Sequence, residues 1–175
     1  MEEKIIQASS DHVVLIAALV SDANKDVASQ FNLTNENAPK HPSFCTSDWI
    51  KEDFDRGVIY FIFERSNKPV GCVAFEAPIQ NVAYLNRLSV IPSARNRGIG
   101  NKLVLHHIHY SKKNAISKVS IGIIAQHTEL KNWYKRIGFQ SGETKQFEHL
   151  PFEVCYMSYV IKKSHGTVQG VQKCL

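Results

Sequence analysis

Leu85-Asn86-Arg87-Leu88-Ser89-Val90-Ile91-Pro92-Ser93-Ala94-Arg95-Asn96-Arg97-Gly98-Ile99-Gly100-Asn101-Lys102-Leu103-Val104-Leu105 is the stretch on which the reading of this chain turns. An apolar, strand-like run from Leu85 to Val90 leads into a glycine loop, and the loop leads into sequence that reads as a helix. Strand, glycine loop and helix start together make an anion cradle. Glycines at 98 and 100 let the backbone approach a ligand with no Cβ in the way, and the first helical turn leaves N–H groups unpaired and pointing outward. That geometry suits a pyrophosphate. Spacing excludes two other phosphate loops. A Walker loop needs GxxxxGK followed by Ser or Thr, and a dinucleotide fingerprint needs GxGxxG, whereas Gly98-Ile99-Gly100 is followed by Asn101, Lys102 and Leu103.

Further along, Lys118 to Ala125 reads as a buried strand and Thr128 to Ile137 as a short helix ending in Gly138-Phe139. Leu130, Trp133, Tyr134 and Ile137 recur at helical spacing and form one apolar face. With the RxxGxG spacing behind Leu88 to Pro92 and the YxxxGF segment Tyr134 to Phe139, the chain resembles the acyl-coenzyme A signature of the GNAT-type N-acetyltransferase superfamily.

The rest of the chain supplies matching elements. A strand is expected over Lys4 to Ala8 and a helix from Asp11 to Ser29, with Ser9, Ser10 and Asp11 as caps. A polar loop spans Asn32 to Phe44, and a second helix begins at Thr46-Ser47 and stops at Gly57. Strands follow over Val58 to Glu64, Val70 to Glu76 and Val82 to Val90, the first two joined by the hairpin segment Arg65 to Pro69. After the cradle, a helix runs to Lys113, and two strands close the chain near Gly142 to Glu148 and Phe152 to Lys162. The order β α α β β β α β α β β over residues 3 to 162 is the arrangement the resemblance implies. Its fold class is α/β (α+β): a mixed, mostly antiparallel sheet of about seven strands, splayed at its centre and flanked by about four helices. One domain over residues 1–162 is expected, with a polar tail, 163–175, that is flexible or docks on a partner subunit, as in a homodimer.

Composition narrows the function classes. The longest apolar run, Val13 to Val20, is too short to cross a bilayer, and the acidic start Met1-Glu2-Glu3 does not resemble a signal peptide, so a soluble, cytoplasmic protein is expected. Cys45, Cys72, Cys155 and Cys174 are widely separated and form no CxxC pair, which reads as reduced, mostly buried thiols. The formal charge of +5 invites a nucleic-acid reading, but no aromatic residues interleave a basic stripe. The densest basic group, Arg87, Arg95, Arg97 and Lys102, is assigned to the pyrophosphate loop instead. His106, His107 and His109 read as a surface helix face, with no carboxylate or cysteine beside them to complete a metal site.

The resemblance implies acetyl-CoA as cosubstrate and an amine, small-molecule or peptide, as acceptor. Backbone groups of Leu88, Ser89 and Val90 would pair with the pantetheine arm, the N–H near Val90 would face the thioester carbonyl, and the main chain of Arg95, Asn96, Arg97, Gly98, Ile99, Gly100 and Asn101 would hold the pyrophosphate. Tyr134 would protonate the departing thiolate. Two departures stand out: His127 occupies a place where relatives often carry Asn, and Asn86 one where they often carry Glu. An amide takes no proton from an ammonium, which leaves Glu76, Glu148, His149 or water as the base. The strand Ile121 to Ala125 also lacks a carboxylate, which argues against an N-terminal peptide substrate. Asp48, Glu52, Asp53 and Asp55 give the second helix a negative side, which reads first as a solvated helix face, with attraction of a cationic amine as the alternative. Asn86 and His127 also suit a non-catalytic acyl-CoA binding or sensing module. A structural subunit that binds no ligand is disfavoured by the intact loop.

Overall fold

A computed structural model describes residues 2–162; the expected tail and Cys174 lie outside the described residues. The described residues hold seven strands and four α-helices: β1 (Glu3–Gln7), α1 (Val13–Gln30), α2 (Ser47–Asp55), β2 (Ile59–Arg65), β3 (Lys68–Ile79), β4 (Val82–Val90), α3 (Ile99–Lys113), β5 (Lys118–Ile124), α4 (Thr128–Ile137), β6 (Gln140–Gln146) and β7 (Glu153–Val160). They form one sheet in the order β1-β2-β3-β4-β5-β7-β6. Every neighbouring pair is antiparallel except β4 and β5. Among the described residues no helix is long and apolar enough to cross a membrane.

The apolar run Ile59-Tyr60-Phe61-Ile62-Phe63 shows why both sheet faces are covered. Period-two alternation sends Tyr60 and Ile62 to the face that α1 and α2 cover, with Ile16, Val20 and Ile50. Phe61 and Phe63 pack on the opposite face with Leu103, Val104 and Ile108 of α3. Strands buried on both faces carry no polar alternation. The β2–β3 hairpin turns at Ser66-Asn67, whose φ values of 50° and 58° are those of a two-residue type I′ turn.

Two local features differ from expectation. Ahead of α1, Ser10–His12 form a 3-10 turn, and the Ser9 N–H donates to His12 Nδ1 at 3.1 Å. Position 107 contradicts the surface reading of the histidines. His107 is fully buried beneath the sheet, its Nε2 lies 3.2 Å from the Tyr84 carbonyl and its Nδ1 3.4 Å from Ser111 Oγ. The helix turns this one ring inward while His106 is half-buried and His109 exposed.

β4 and β5 pair only through Val82–Lys118, Ala83–Val119 and Tyr84–Ser120, then diverge. Two things enforce the split. β5 stays paired to β7 along its whole length, from Lys118 to Ile124. β4 stays with β3 but carries a bulge: Cys72 faces Ser89 and Ala74 faces Asn86, so Val73 opposes both Arg87 and Leu88. Arg87 adopts φ 54° at this bulge. Close approach of the two backbones fixes Gly71, where a Cβ would lie 2.7 Å from the Ser89 carbonyl oxygen.

Burial holds the His107 pKa down, to about 4 from 6.5. The unfolded chain therefore binds a proton that the folded one refuses, and stability is lost as pH falls from 6.5 towards 4. The expected loss is about 3 kcal/mol. Urea unfolding of wild type and His107→Gln over this pH range checks it, the variant giving the flatter dependence.

Candidate active site

The divergence of β4 and β5 opens two adjoining cavities. One, of about 460 Å³, is lined by Leu85 to Leu88 of β4, Ile121 to Ile124 of β5, Tyr134, and by Asn24, His41, Asp53, Arg56 and Glu76. The other, of about 520 Å³, runs past Leu88, Ser89, Val90, Arg95, Asn96 and Gly98 to Asn101. Asn24, Val27, Leu88, His127 and Leu130 line both.

Backbone directions explain why the gap is polar. The Ile91 N–H donates to the Val70 carbonyl at 3.0 Å, while Val90 stands opposite Gly71. Strand alternation then turns the amides of Leu88 and Val90 away from β3 and into the gap. At the loop, Gly98 has φ 76° and caps α3 without a side-chain bond; the first bond into the helix runs from the Lys102 N–H to the Gly98 carbonyl at 3.0 Å. The N–H groups of Ile99, Gly100 and Asn101 thus precede the first helical bond and open towards the second cavity. Such a cradle, with no acidic residue in its first turn, fits a pyrophosphate. A Cβ at Gly100 would meet the Trp133 indole at 3.3 Å, so that glycine makes room for tryptophan.

The basic side chains do not converge on the loop as expected. Arg95 turns inward: its guanidinium pairs with Asp26, donates to the Ala23 carbonyl at 2.6 Å and to the Val90 carbonyl at 3.1 Å. It rivets the loop to α1 and β4. Lys102 pairs with Glu3, and Arg87 points into the first cavity, 3.5 Å from Asp53. Arg97 is exposed and lines neither cavity. Sequence reasoning missed Trp133 and Arg136, which do line the second cavity, because the helix had been read as one apolar face.

His127 caps α4, its Nδ1 accepting from the Leu130 N–H at 3.4 Å. That bond places the ring proton on Nε2, and burial lowers its pKa, so the ring is a neutral donor facing both cavities. Tyr134 is 4% exposed, and burial raises its pKa, which keeps the phenol protonated. Asn86 lines the first cavity and donates to Glu76 Oε2 at 3.2 Å, while Glu148 and His149 lie in the β6–β7 connection and line neither cavity. Asp53 corrects the expected negative helix side. It is buried, paired with Arg56 and Arg87, and accepts from the Tyr60 hydroxyl at 2.5 Å.

With this geometry the relationships of the chain are informative. Residues 24–139 match the acetyltransferase (GNAT) family. The chain belongs to that family. An uncharacterized N-acetyltransferase of Methanocaldococcus jannaschii is 33% identical over 101 residues, 54% of this chain and 44% of that relative, so the matched region spans less than half of the relative's length. Among solved structures, the ribosomal-protein-S18-alanine N-acetyltransferase of Escherichia coli superposes with TM-score 0.75 at 12% identity, covering 95% of this chain and 99% of that one. A PaiA N-acetyltransferase of Thermoplasma acidophilum, solved with coenzyme A, gives TM-score 0.68 at 17% identity, covering 91% of this chain and 100% of that one. The splayed GNAT sheet expected from the motifs is the observed one. Among the described residues, no three His, Cys, Asp or Glu side chains gather as a metal site would require.

The Arg95 rivet has a measurable consequence. Arg95→Ala removes donors from two carbonyls and a carboxylate and is expected to cost about 1–3 kcal/mol. Arg97→Ala, at an exposed position, is expected to stay within about 0.5 kcal/mol of wild type. Denaturant midpoints of the two variants check the contrast.

Proposed function

We propose that this GNAT-family chain is an acetyl-CoA-dependent N-acetyltransferase that binds acetyl-CoA and a primary amine together. The amine attacks the thioester directly. The observation that carries this reading is the pair of cavities sharing Leu88 and His127 at the splay, one beside the helix-opening N–H groups and the other beside carboxylates. The PaiA neighbour solved with coenzyme A supports the cofactor class.

Acetyl-CoA would supply the activated acyl group and the leaving thiol. Leu88, Ser89 and Val90 would receive the pantetheine arm as an added strand. The main chain from Arg95 to Asn101 would hold the pyrophosphate, and the His127 Nε2–H would donate alongside. The reacting carbonyl belongs where the cavities meet. There the Leu88 amide is a better-placed donor than that of Val90, which lines only the second cavity. A donor aimed at an oxygen that gains charge during attack contributes about 2.7–4 kcal/mol. Tyr134, a buried protonated phenol, would give its proton to the departing sulfur.

Direct attack is favoured over a covalent route by the cysteines. Burial pushes the Cys45 thiol up to about 11 and Cys72 to about 12, far from a thiolate at neutral pH. Cys155 is buried as well, and none of the three lines either cavity.

Calorimetric titration with acetyl-CoA, followed by thiol release across an amine panel, tests the proposal. Wild type is expected to bind, and Gly98→Trp, which forces a bulky side chain to φ 76° in the cradle, to lose binding. Tyr134→Phe is expected to keep binding while kcat falls by about 100-fold. Absence of binding by wild type overturns the reading.

A further inference from the structure

The acidic and basic side chains of the first cavity, Arg87, Asp53, Arg56 and Glu76, form one chain of alternating charge. Arg87 Nε lies 3.5 Å from Asp53 Oδ2, and Arg56 Nη2 lies 2.7 Å from Asp53 Oδ1. Arg56 Nε reaches Glu76 Oε1 at 3.4 Å, and Asn86 Nδ2 donates to Glu76 Oε2 at 3.2 Å. The inner carboxylate is saturated, because Asp53 takes two guanidinium groups and the Tyr60 hydroxyl. The ends of the chain are not. Arg87 gives Nε to Asp53 and sets its guanidinium over the Trp49 ring at 5.6 Å, which leaves both terminal nitrogens without a hydrogen bond among the described residues. Its side chain is only 22% exposed. Glu76, 23% exposed, holds one long ion pair and one amide donor, so its oxygens retain accepting capacity.

The backbone is bent to produce this arrangement. A left-handed φ of 54° at Arg87 is strained for a residue with a Cβ, and a bulge re-aims the side chain it carries. The two acids and two arginines of the cavity sum to zero charge, yet a donor fork stands at one end of the chain and an acceptor carboxylate at the other. A ligand that satisfies both must itself carry both charges.

We propose that the acceptor is an aminocarboxylate, such as a free amino acid. Arg87 holds its carboxylate through the terminal nitrogens, and Glu76 receives its ammonium group and takes the proton that must leave before attack. The inference rests on the acetyltransferase reading and deepens it. The first proton passes from nitrogen to Glu76 and on to solvent; the N–C bond then forms as the C–S bond breaks, the sulfur takes the Tyr134 proton, and the second proton that the new amide nitrogen must lose passes through solvent to the Tyr134 phenolate. Asn86, which cannot act as a base, becomes the positioning residue for the carboxylate on the neighbouring strand. An amine with no carboxylate nearby would leave the Arg87 fork without a charged partner, which is how the site would select against it.

Thiol release measured with matched acceptors tests this: amino acids, their carboxamides, the corresponding decarboxylated amines, and an alanine-headed peptide. Free amino acids are expected to exceed their carboxamides by about 10- to 100-fold in kcat/KM. Arg87→Ala is expected to raise KM for the amino acids by a similar factor and erase the preference, with Arg87→Lys retaining part of it. Glu76→Gln is expected to lower kcat by about 100-fold with a smaller effect on KM. That loss should shrink for 4-aminobenzoate, whose amine is already neutral. Acetyl-CoA calorimetry on every variant reports folding and cofactor binding separately. Equal rates for acid and amide, a preference untouched by Arg87→Ala, or no turnover of any aminocarboxylate by an enzyme that binds acetyl-CoA overturns the proposal. Failure of wild type to bind acetyl-CoA sinks instead the reading beneath it.

Discussion

The parting of β4 from β5 after Tyr84 and Ser120 is the constraint on which the rest of the molecule depends. A parallel pair in the middle of a sheet ordinarily continues until one strand ends. Here each strand is claimed by a different neighbour: β5 is bound to β7 throughout, and β4 follows β3 through the bulge at Arg87 and Leu88. The parting leaves backbone amides facing each other across a gap too wide to bridge. Backbone polar groups away from water need partners, so such a gap is stable only if solvent or a ligand supplies them. The protein core thus creates a demand for hydrogen bonds at its centre, where an extended amide-bearing arm would meet it.

Placing the loop is the work of charge. Arg95 leaves the position its motif suggests and ties the loop to α1 and β4 through Asp26 and two carbonyls. The Asp26 carboxyl is held below its ordinary range by the hydrogen bond from Arg95, and each partner therefore fixes the other. Once the loop is anchored by this side chain, the main chain is free to present its N–H groups. The motif arginine acts behind the cradle, and Arg136 approaches from the opposite wall of the second cavity.

What was legible in the sequence follows the same division. Elements whose identity depends on local pattern were readable to within a residue or two, β4 and α4 at both ends, because periodicity, glycine and proline act locally. The residues expected at the cradle line one cavity, Arg97 excepted, since a motif specifies main-chain geometry by spacing. Side-chain destinations were not readable. Nothing near Arg87 in sequence announces Asp53 or Trp49, and the inward turn of His107 depends on which face of α3 meets the sheet. The saturation of Asp53 likewise needs, besides its helix neighbour Arg56, partners from two other elements, Tyr60 of β2 and Arg87 of β4.

The two cavities therefore obey different rules. The second includes the N–H groups that open α3, and main-chain recognition survives substitutions that keep the backbone path. Solved structures at 12% and 17% identity share the fold. The first carries, among mostly apolar residues, ionic side chains that hold one another in sequence, from Arg87 through Asp53 and Arg56 to Glu76. Changing one link re-pairs the rest, so small changes in sequence alter the charge presented to an acceptor. On the reading proposed above, the main-chain cradle would serve the donor and the charge chain would select the acceptor, so that acceptor choice has to be argued from the charge chain itself.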